Sequence, residues 1–410
     1  MRVVIINKSD ALGGAAIASM RLCQALQAAG ADARMLVLER RTDATNVQAV
    51  GSRWGNRYRF LAERLGIFSR NGLSRDTLFQ IDTATHGVDL SRHPWVVESD
   101  VIVLGWINQA MLSLDGVARL AALGKPLVWV MHDMWNATGI CHHAKECQGL
   151  YGQCEQCPLL PNGSRLAQRT WLRKQELYNR CDIHFVPVSN WLRGVCQSSS
   201  LMRGSDITVI PNAIDVTQFN PGFLDDNPWN VEQGRQVVVM GAARLDDPIK
   251  GFDRLTAAMH WLTMNRPDTA GRIHLVLYGA LRDPSVLNDI PVPYTHLGYV
   301  TDIQQIYRHA QIVLSSSTRE TLPTTLVEGM ACGCTAVTTG VGGQRDIVTH
   351  QVNGYVTDSL APEALAHGIE WALNNSCDRQ TQHDWIAGKF DMAVIAREHL
   401  SLYNRLLANK

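Results

Sequence analysis

One stretch, running from Ser315 to Gly343 (SSSTRETLPTTLVEGMACGCTAVTTGVGG), constrains this chain more than any other. An apolar run ending in small polar residues (QIVLSSS) precedes a polar loop (TRETLP), a helical segment and a second apolar run (TAVTT). Strand, loop, helix, strand is the repeating unit of an α/β domain built on a parallel sheet. Two carboxylates lie in it, Glu320 and Glu328, with seven residues between them. Glu320 falls in the loop after the strand's C-terminal end, where open α/β sheets bind ligands. Glu328 falls about two turns later on the helix, placed to point back toward the same crevice. Pro323 suits the first helical turn, where a missing N–H costs nothing. Gly329, Ala331, Gly333 and the Gly342–Gly343 pair let backbone or ligand approach closely.

Two carboxylates near a helix start have a plain reading as solvated side chains favoured by the helix dipole. The phrase E-TLPTTLV-E-GMACG says more. It resembles the E-x7-E element of the retaining GT-B glycosyltransferases of glycosyltransferase family 4, usually worded E-G-x-x-x-x-x-x-E-A-M-A-x-G. Thr321 and Gly329 depart from that wording, which has Gly and Ala there. The resemblance implies an α/β GT-B fold, two Rossmann-like domains with parallel sheets facing across a cleft. The donor nucleotide sugar is then expected mainly on the C-terminal domain and the acceptor mainly on the N-terminal one. Glu328 would accept hydrogen bonds from the ribose hydroxyls. Glu320 and the loop after it (Thr321, Leu322, Pro323, Thr324) would hold the donor sugar.

Composition is compatible with this. A length of 410 residues suffices for two ordinary domains. A formal net charge of zero supplies no global field toward nucleic acid, so no nucleic-acid partner is expected. No uninterrupted apolar run reaches the roughly 18 residues a membrane-spanning helix requires. The start, MRVVIINKSD, turns polar too soon for a signal peptide and reads as a first strand. The ten cysteines are therefore expected as mostly free thiols in a reducing cytoplasm.

In chain order, the strand Val3–Ile6 leads through a polar turn to Gly13–Gly14 and a helical segment ending at Gly30. A glycine-rich turn into a helix N-terminus is an anion site, although this is not the G-x-G-x-x-G fingerprint. In the resembling family such a loop faces the donor diphosphate. Residues 52–75 hold six arginines and one acid, Glu63, with Trp54, Tyr58, Phe60, Leu61 and Leu65 at partly helical spacing. Such a helix either lies on an anionic membrane surface or packs its apolar face on its own domain. The run PLVWVM ends in His132, with Asp133 following as a structural residue. A histidine at a strand's C-terminal end can hydrogen-bond a sugar hydroxyl in either protonation state. The resemblance gives His132 that contact near the bond being formed. On the preceding strand, Gly105 stands where related chains often carry histidine. Next come Cys141, Cys147, Cys154 and Cys157, the last two as C-x-x-C. A stretch from HDMW through this Cys-Pro resembles a cysteine-rich subset of the family. Four thiolates can hold a structural zinc, with His142 and His143 as substitutes, or remain packed thiols.

The expected domains are 1–212, a linker over 213–235, 236–390, and a last helix over 391–410 that crosses back to the first domain. A polar stretch, Pro221 to Asn230, marks the boundary. The second domain opens with strand Val237–Gly241 and AARLDDPIKGFD, similar to the family's G-R-L-x-x-x-K-G-x-D with Ala242–Ala243 stretching its start. Arg244 can grip phosphate oxygens through its planar fork and Lys250 adds a point charge, both stabilising a departing diphosphate. Two surface cations beside Asp246 and Asp247 is the alternative. Gly279 and Tyr299 are weaker candidates near the base. The expectation is a glycosyltransferase using a UDP- or GDP-sugar and a glycan or lipid-linked acceptor, with no catalytic metal. A role in bacterial surface polysaccharide (capsule or lipopolysaccharide) and peripheral contact with the inner face of the cytoplasmic membrane go with it. A non-catalytic nucleotide-sugar-binding subunit, or a GT-B phosphorylase or epimerase, is the alternative.

Overall fold

The structure is a computed structural model that describes residues 1–144, 147–222 and 228–409. Residues 223–227 of the expected linker, and Lys145 and Glu146 of the cysteine stretch, lie outside the described residues. The chain forms two compact units, Met1–Ala213 with Ile395–Lys410, and Ile214–Val394. The chain joins the second unit at Ile214, which forms a parallel bridge with Asp391.

The first unit is built on strands β1 (Arg2–Ser9), β2 (Asp32–Glu39), β3 (Val47–Ala49), β4 (Val101–Leu104), β5 (Leu127–Met131) and β6 (His184–Pro187). Its helices include α1 (Gly14–Ala28), α2 (Arg53–Phe68) and α3 (Leu166–Arg180). The strand order is β3-β2-β1-β4-β5-β6 and every pairing is parallel. The second unit holds β7 (Gln236–Arg244), β8 (Ile273–Ala280), β9 (Tyr294–His296), β10 (Ile312–Ser315), β11 (Thr335–Thr338) and β12 (Gly354–Val356). Its order, β12-β11-β10-β7-β8-β9, is again all parallel. Helix α4 (Thr324–Ala331) follows β10, and the last helix, α5 (Met392–Ala408), returns to the first unit from Ile395. Counted within its unit, each sheet has the doubly wound order 3-2-1-4-5-6, so each has one switch point, β1/β4 and β7/β10.

The strands read as continuous apolar runs because helices cover both faces of a parallel sheet. Val4, Ile6, Ile102, Leu104, Trp129 and Phe185 form the first core, and Val238, Leu275, Ile312, Leu314 and Val337 the second. Each such side chain contributes about 1.5–3 kcal/mol by leaving water. One residue of the stretched Ala242–Ala243 start is absorbed as a bulge, since Gly241 pairs with Tyr278 and Arg244 with Ala280, leaving three steps against two. Gly329 is explained by its neighbour: an added Cβ would meet Val313 Cβ at 2.6 Å, so a β-branched residue on β10 fills the space an alanine methyl would take.

On α5, His399 is 2% exposed and pairs with Tyr403, whose hydroxyl lies 3.1 Å from its Nδ1. Burial drives its pKa down to about 3. Below pH 6.5 the unfolded chain takes up a proton that this folded ring refuses, so its contribution to stability falls with pH across that window. At about 1.4 kcal/mol per unit, roughly 2 kcal/mol is lost between pH 6.5 and 5. Denaturant titrations of the wild type and His399→Asn at both pH values should show that loss shrinking in the variant.

Candidate functional site

In the second unit the loops after β7 and β10 emerge on either side of the switch point and are tied together. Thr318 N donates to Ile249 O at 2.8 Å, and Ser316 Oγ to Lys250 O at 3.1 Å. This brings Lys250 Nζ to 2.7 Å from Glu320 Oε1, which also accepts from Ser317 Oγ at 3.0 Å. Burial opposes the charge on Lys250, but Glu320 outweighs it and raises the pKa, so the ammonium form is held. Arg244 is clamped by carboxylates, with Nη2 3.0 Å from Asp247 Oδ2 and Nε 3.3 Å from Asp246 Oδ1.

The loop after β11 supports Glu320 from behind. Thr339 Oγ1 donates to Ser317 O at 2.6 Å, and Gln344 Nε2 to Ser315 Oγ at 2.9 Å. Gly342 has φ +59°, and an added Cβ there would lie 1.6 Å from Glu320 O. These supports, Ser317, Thr339 and Gln344, carried no signal in the sequence, being ordinary polar residues in loops. Gly251 plays the matching part after β7: its φ is +71°, and a Cβ would lie 2.0 Å from Ser316 O.

Helix α4 begins at Thr324, and Pro323 is its N-cap with φ −72° and ψ 113° rather than a first-turn residue. That correction follows from the extended ψ needed to bring the chain out of the Glu320 loop. No side chain caps this helix, which leaves its first N–H groups available to a ligand oxygen. Thr321 and Leu322 are buried in the loop before it. Glu328 is 4% exposed on α4. Its charge, after burial, raises the pKa of Tyr278, whose hydroxyl lies 2.5 Å from that of Tyr307. Gly279 has φ +128° and a Cβ there would meet Ala242 O at 1.9 Å, whereas Tyr299 is exposed.

In the first unit, the turn after β1 places Gly13 (φ +90°) as the uncapped N-cap of α1, with open space around both Gly13 and Gly14. His132 follows β5. Burial drives its pKa down to about 4, with Asp133 opposing, so its ring is neutral near pH 7. His132 Nε2 is buried with no hydrogen-bond partner and the residue lines a small cavity with Ser19, Gly105, Asn212 and His399. An added Cβ at Gly105 would meet Asn7 Oδ1 at 2.6 Å, so this strand end has no room for a side chain. Asp133 accepts from Trp106 Nε1 (2.9 Å), His142 Nδ1 (2.8 Å) and Trp135 N (2.8 Å). Burial works against its ionisation, but His142 and the Trp135 N–H outweigh it and hold the carboxyl at about 2.

Cys141, Cys147, Cys154 and Cys157 are free thiols around one cavity of about 610 Å³. Gly149 N lies 3.4 Å from Cys147 Sγ, and the Gly139 and Leu159 N–H groups donate to Cys154 and Cys157. Burial pushes the Cys141 thiol up to about 12. Among the described residues no group of three or more His, Cys, Asp or Glu side chains is arranged to hold a metal ion. Lys174 of α3 is fully buried nearby, donating to Trp135 O at 2.6 Å and Thr138 O at 3.1 Å.

Residues 12–218 match the profile described as Glycosyltransferase Family 4, and residues 235–375 that described as Glycosyl transferases group 1. The chain is 23% identical over 255 residues to the phosphatidylinositol N-acetylglucosaminyltransferase GPI3 subunit of Saccharomyces cerevisiae (strain YJM789), over 58% of this chain. The match spans 54% of that relative, about half its length. A glycosyltransferase from Rickettsia africae ESF-5 superposes with TM-score 0.67 at 14% identity, covering 100% of this chain and 99% of the other. Anabaena Alr3699/HepE in complex with UDP and glucose gives 0.63 at 16%, covering 98% and 99%. Both likenesses establish the fold, GT-B.

Proposed function

We propose that this chain, which belongs to glycosyltransferase family 4, transfers a sugar from a nucleoside diphosphate donor bound on its second unit, with retention of anomeric configuration. The observation that carries the reading is the Lys250–Glu320 pair, held at 2.7 Å across the β7/β10 switch point. Lys250 offers a fixed positive charge where the departing diphosphate gains negative charge. Glu320 and the uncapped start of α4 orient the donor sugar, and Glu328 takes the ribose hydroxyls. Arg244 exchanges its single contacts with Asp246 and Asp247 for a bidentate grip on phosphate oxygens. The acceptor hydroxyl attacks on the face the leaving group departs from, and the leaving phosphate oxygen takes its proton. On the first unit, neutral His132 hydrogen-bonds a hydroxyl of the acceptor. The UDP of the Anabaena complexes makes a UDP-sugar the first donor to try, ahead of a GDP-sugar. A glycan or lipid-linked acceptor of a bacterial surface polysaccharide is the proposed destination.

The test is release of nucleoside diphosphate from a panel of UDP- and GDP-sugars, with NMR of the first-formed sugar anomer. Release from one donor, with the donor's anomeric configuration preserved in the product, supports the reading. An inverted product overturns retention, and no release from any donor overturns donor use.

As a second proposal, a structural zinc draws together the four thiols that border one cavity, which are not arranged around a metal as they stand, and staples this irregular loop. About one zinc per chain is expected by elemental analysis, with zinc content and thermal midpoint both falling in Cys154→Ser/Cys157→Ser. Zinc-free protein of undiminished thermal stability would contradict it.

A further inference from the structure

Helix α2 buries Ile67 but leaves a second apolar stripe outside. Glu63 (1% exposed) and Arg64 (5%) face inward, while Trp54 (78%), Tyr58 (72%), Leu61 (45%) and Leu65 (64%) face solvent. Those four follow i, i+4, i+7, i+11 spacing, which is a single stripe along one side of a helix. Inward, Ile67 packs with Ile81, Ile140 and Leu160, and beside it a set of polar contacts fixes the helix this way round. Arg64 Nη2 lies 2.5 Å from Asp82 Oδ2, and Arg64 Nη1 donates to Leu78 O (2.8 Å) and Ile81 O (3.2 Å). Glu63 Oε1 accepts from Thr85 N at 3.0 Å. Rotating the apolar stripe inward would expose or unpair these groups, at a cost of several kcal/mol for a buried charge left without its partner. The helix does pack on its own domain, through Ile67, but the stripe of Trp54, Tyr58, Leu61 and Leu65 is held outward. Leu73 and Phe79, both exposed, extend the apolar surface beyond the helix.

Charge selects the occupant. Arg53, Arg57, Arg70 and Arg75 are exposed around the stripe, and the one acid of residues 52–75 is the buried Glu63. The chain as a whole is neutral, so this excess is local. A second copy docked by a twofold axis would set these arginines against their own equivalents. A bilayer carrying anionic headgroups complements them, at about 1 kcal/mol per arginine near its surface. Trp54 and Tyr58 are the side-chain types that settle at the headgroup boundary. No described helix is long and apolar enough to cross a membrane, so the contact is one of lying on the surface.

We infer that the exposed face of α2 docks the protein on an anionic lipid bilayer, with Trp54, Tyr58, Leu61 and Leu65 entering the interface and Arg53 and Arg57 pairing with headgroups. The inference is independent of which sugar is transferred. Full-length protein is floated with vesicles of phosphatidylcholine alone and with vesicles also containing phosphatidylglycerol. Binding is expected only to the anionic vesicles, and to weaken as salt shortens the screening length from about 10 Å at 0.1 M to about 3 Å at 1 M. Both Trp54→Ala/Leu65→Ala and Arg53→Glu/Arg57→Glu are expected to lower the bound fraction by about tenfold or more. These side chains are exposed, so unchanged thermal melts verify that the variants fold. Equal binding to both vesicle types, no binding to either, or unaltered binding by the variants overturns the inference. A concentration-dependent dimer that dissociates in Trp54→Ala/Leu65→Ala also overturns it, reassigning the face to a second copy.

Discussion

Replacing Lys250 with alanine is expected to lower the rate of donor cleavage by on the order of 10²–10³, the loss that follows removal of one preorganised charge stabiliser. The effect is expected mainly in kcat, because the negative charge Lys250 meets grows as the diphosphate departs. It also leaves Glu320 without the cation that holds it at 2.7 Å, though Ser317 Oγ still donates at 3.0 Å. Lys250→Arg is expected to restore only part of the rate, since a planar fork cannot reproduce a point charge in this position. Steady-state kinetics of nucleoside diphosphate release decide it, with melting curves to verify folding. A variant that turns over at the wild-type rate would remove Lys250 from the chemistry.

The second large effect is expected at Gly342, which makes no ligand contact in the proposed reading. Alanine there meets two penalties, a left-handed backbone at φ +59° and a methyl 1.6 Å from Glu320 O. Backbone strain of this kind costs about 1–3 kcal/mol, and the carbonyl must also move. A fall in thermal midpoint of about 2–4 °C per kcal/mol is expected for a unit of this size. Displacing the carbonyl also shifts the Glu320 carboxylate from Lys250, so donor affinity should fall by about tenfold or more, the difference one charged hydrogen bond makes. Gly388→Ala is the control: it lies in open space within helix Arg379–Phe390 and should be neutral or slightly stabilising. Gly342→Ala with wild-type melting and donor affinity would show that the two loops are not coupled as described.

Much of the fold was legible because parallel strands buried on both faces leave continuous apolar runs. The run PLVWVM begins one residue before β5, and Val3–Ile6 and Val237–Gly241 fall inside β1 and β7. The edge strands β3 and β12 escaped, since three residues carry no usable periodicity. At the candidate site, Glu320 and Lys250 were legible as chemistry at strand ends, and the structure brings them together. What holds them was not legible: Ser317 bonds Glu320 within one loop, and Thr339 and Gln344 reach that loop from the one after β11. The orientation of α2 was hidden for a similar reason. Its apolar stripe could be read from spacing, but the choice of face depends on Asp82, eighteen residues after Arg64. Gly329 shows how a departure from a family's wording becomes intelligible once Val313 is seen beneath it.

Calorimetric titration of UDP and of GDP into the wild type and into Glu328→Ala tests the central claim most directly, that the second unit holds a nucleoside diphosphate through the carboxylates around α4. One nucleotide should bind the wild type, and its affinity should fall about tenfold to a hundredfold in Glu328→Ala, the range expected when hydrogen bonds to a charged acceptor are lost. Equal affinity in the two proteins, or no binding of either nucleotide to folded wild type, would contradict it.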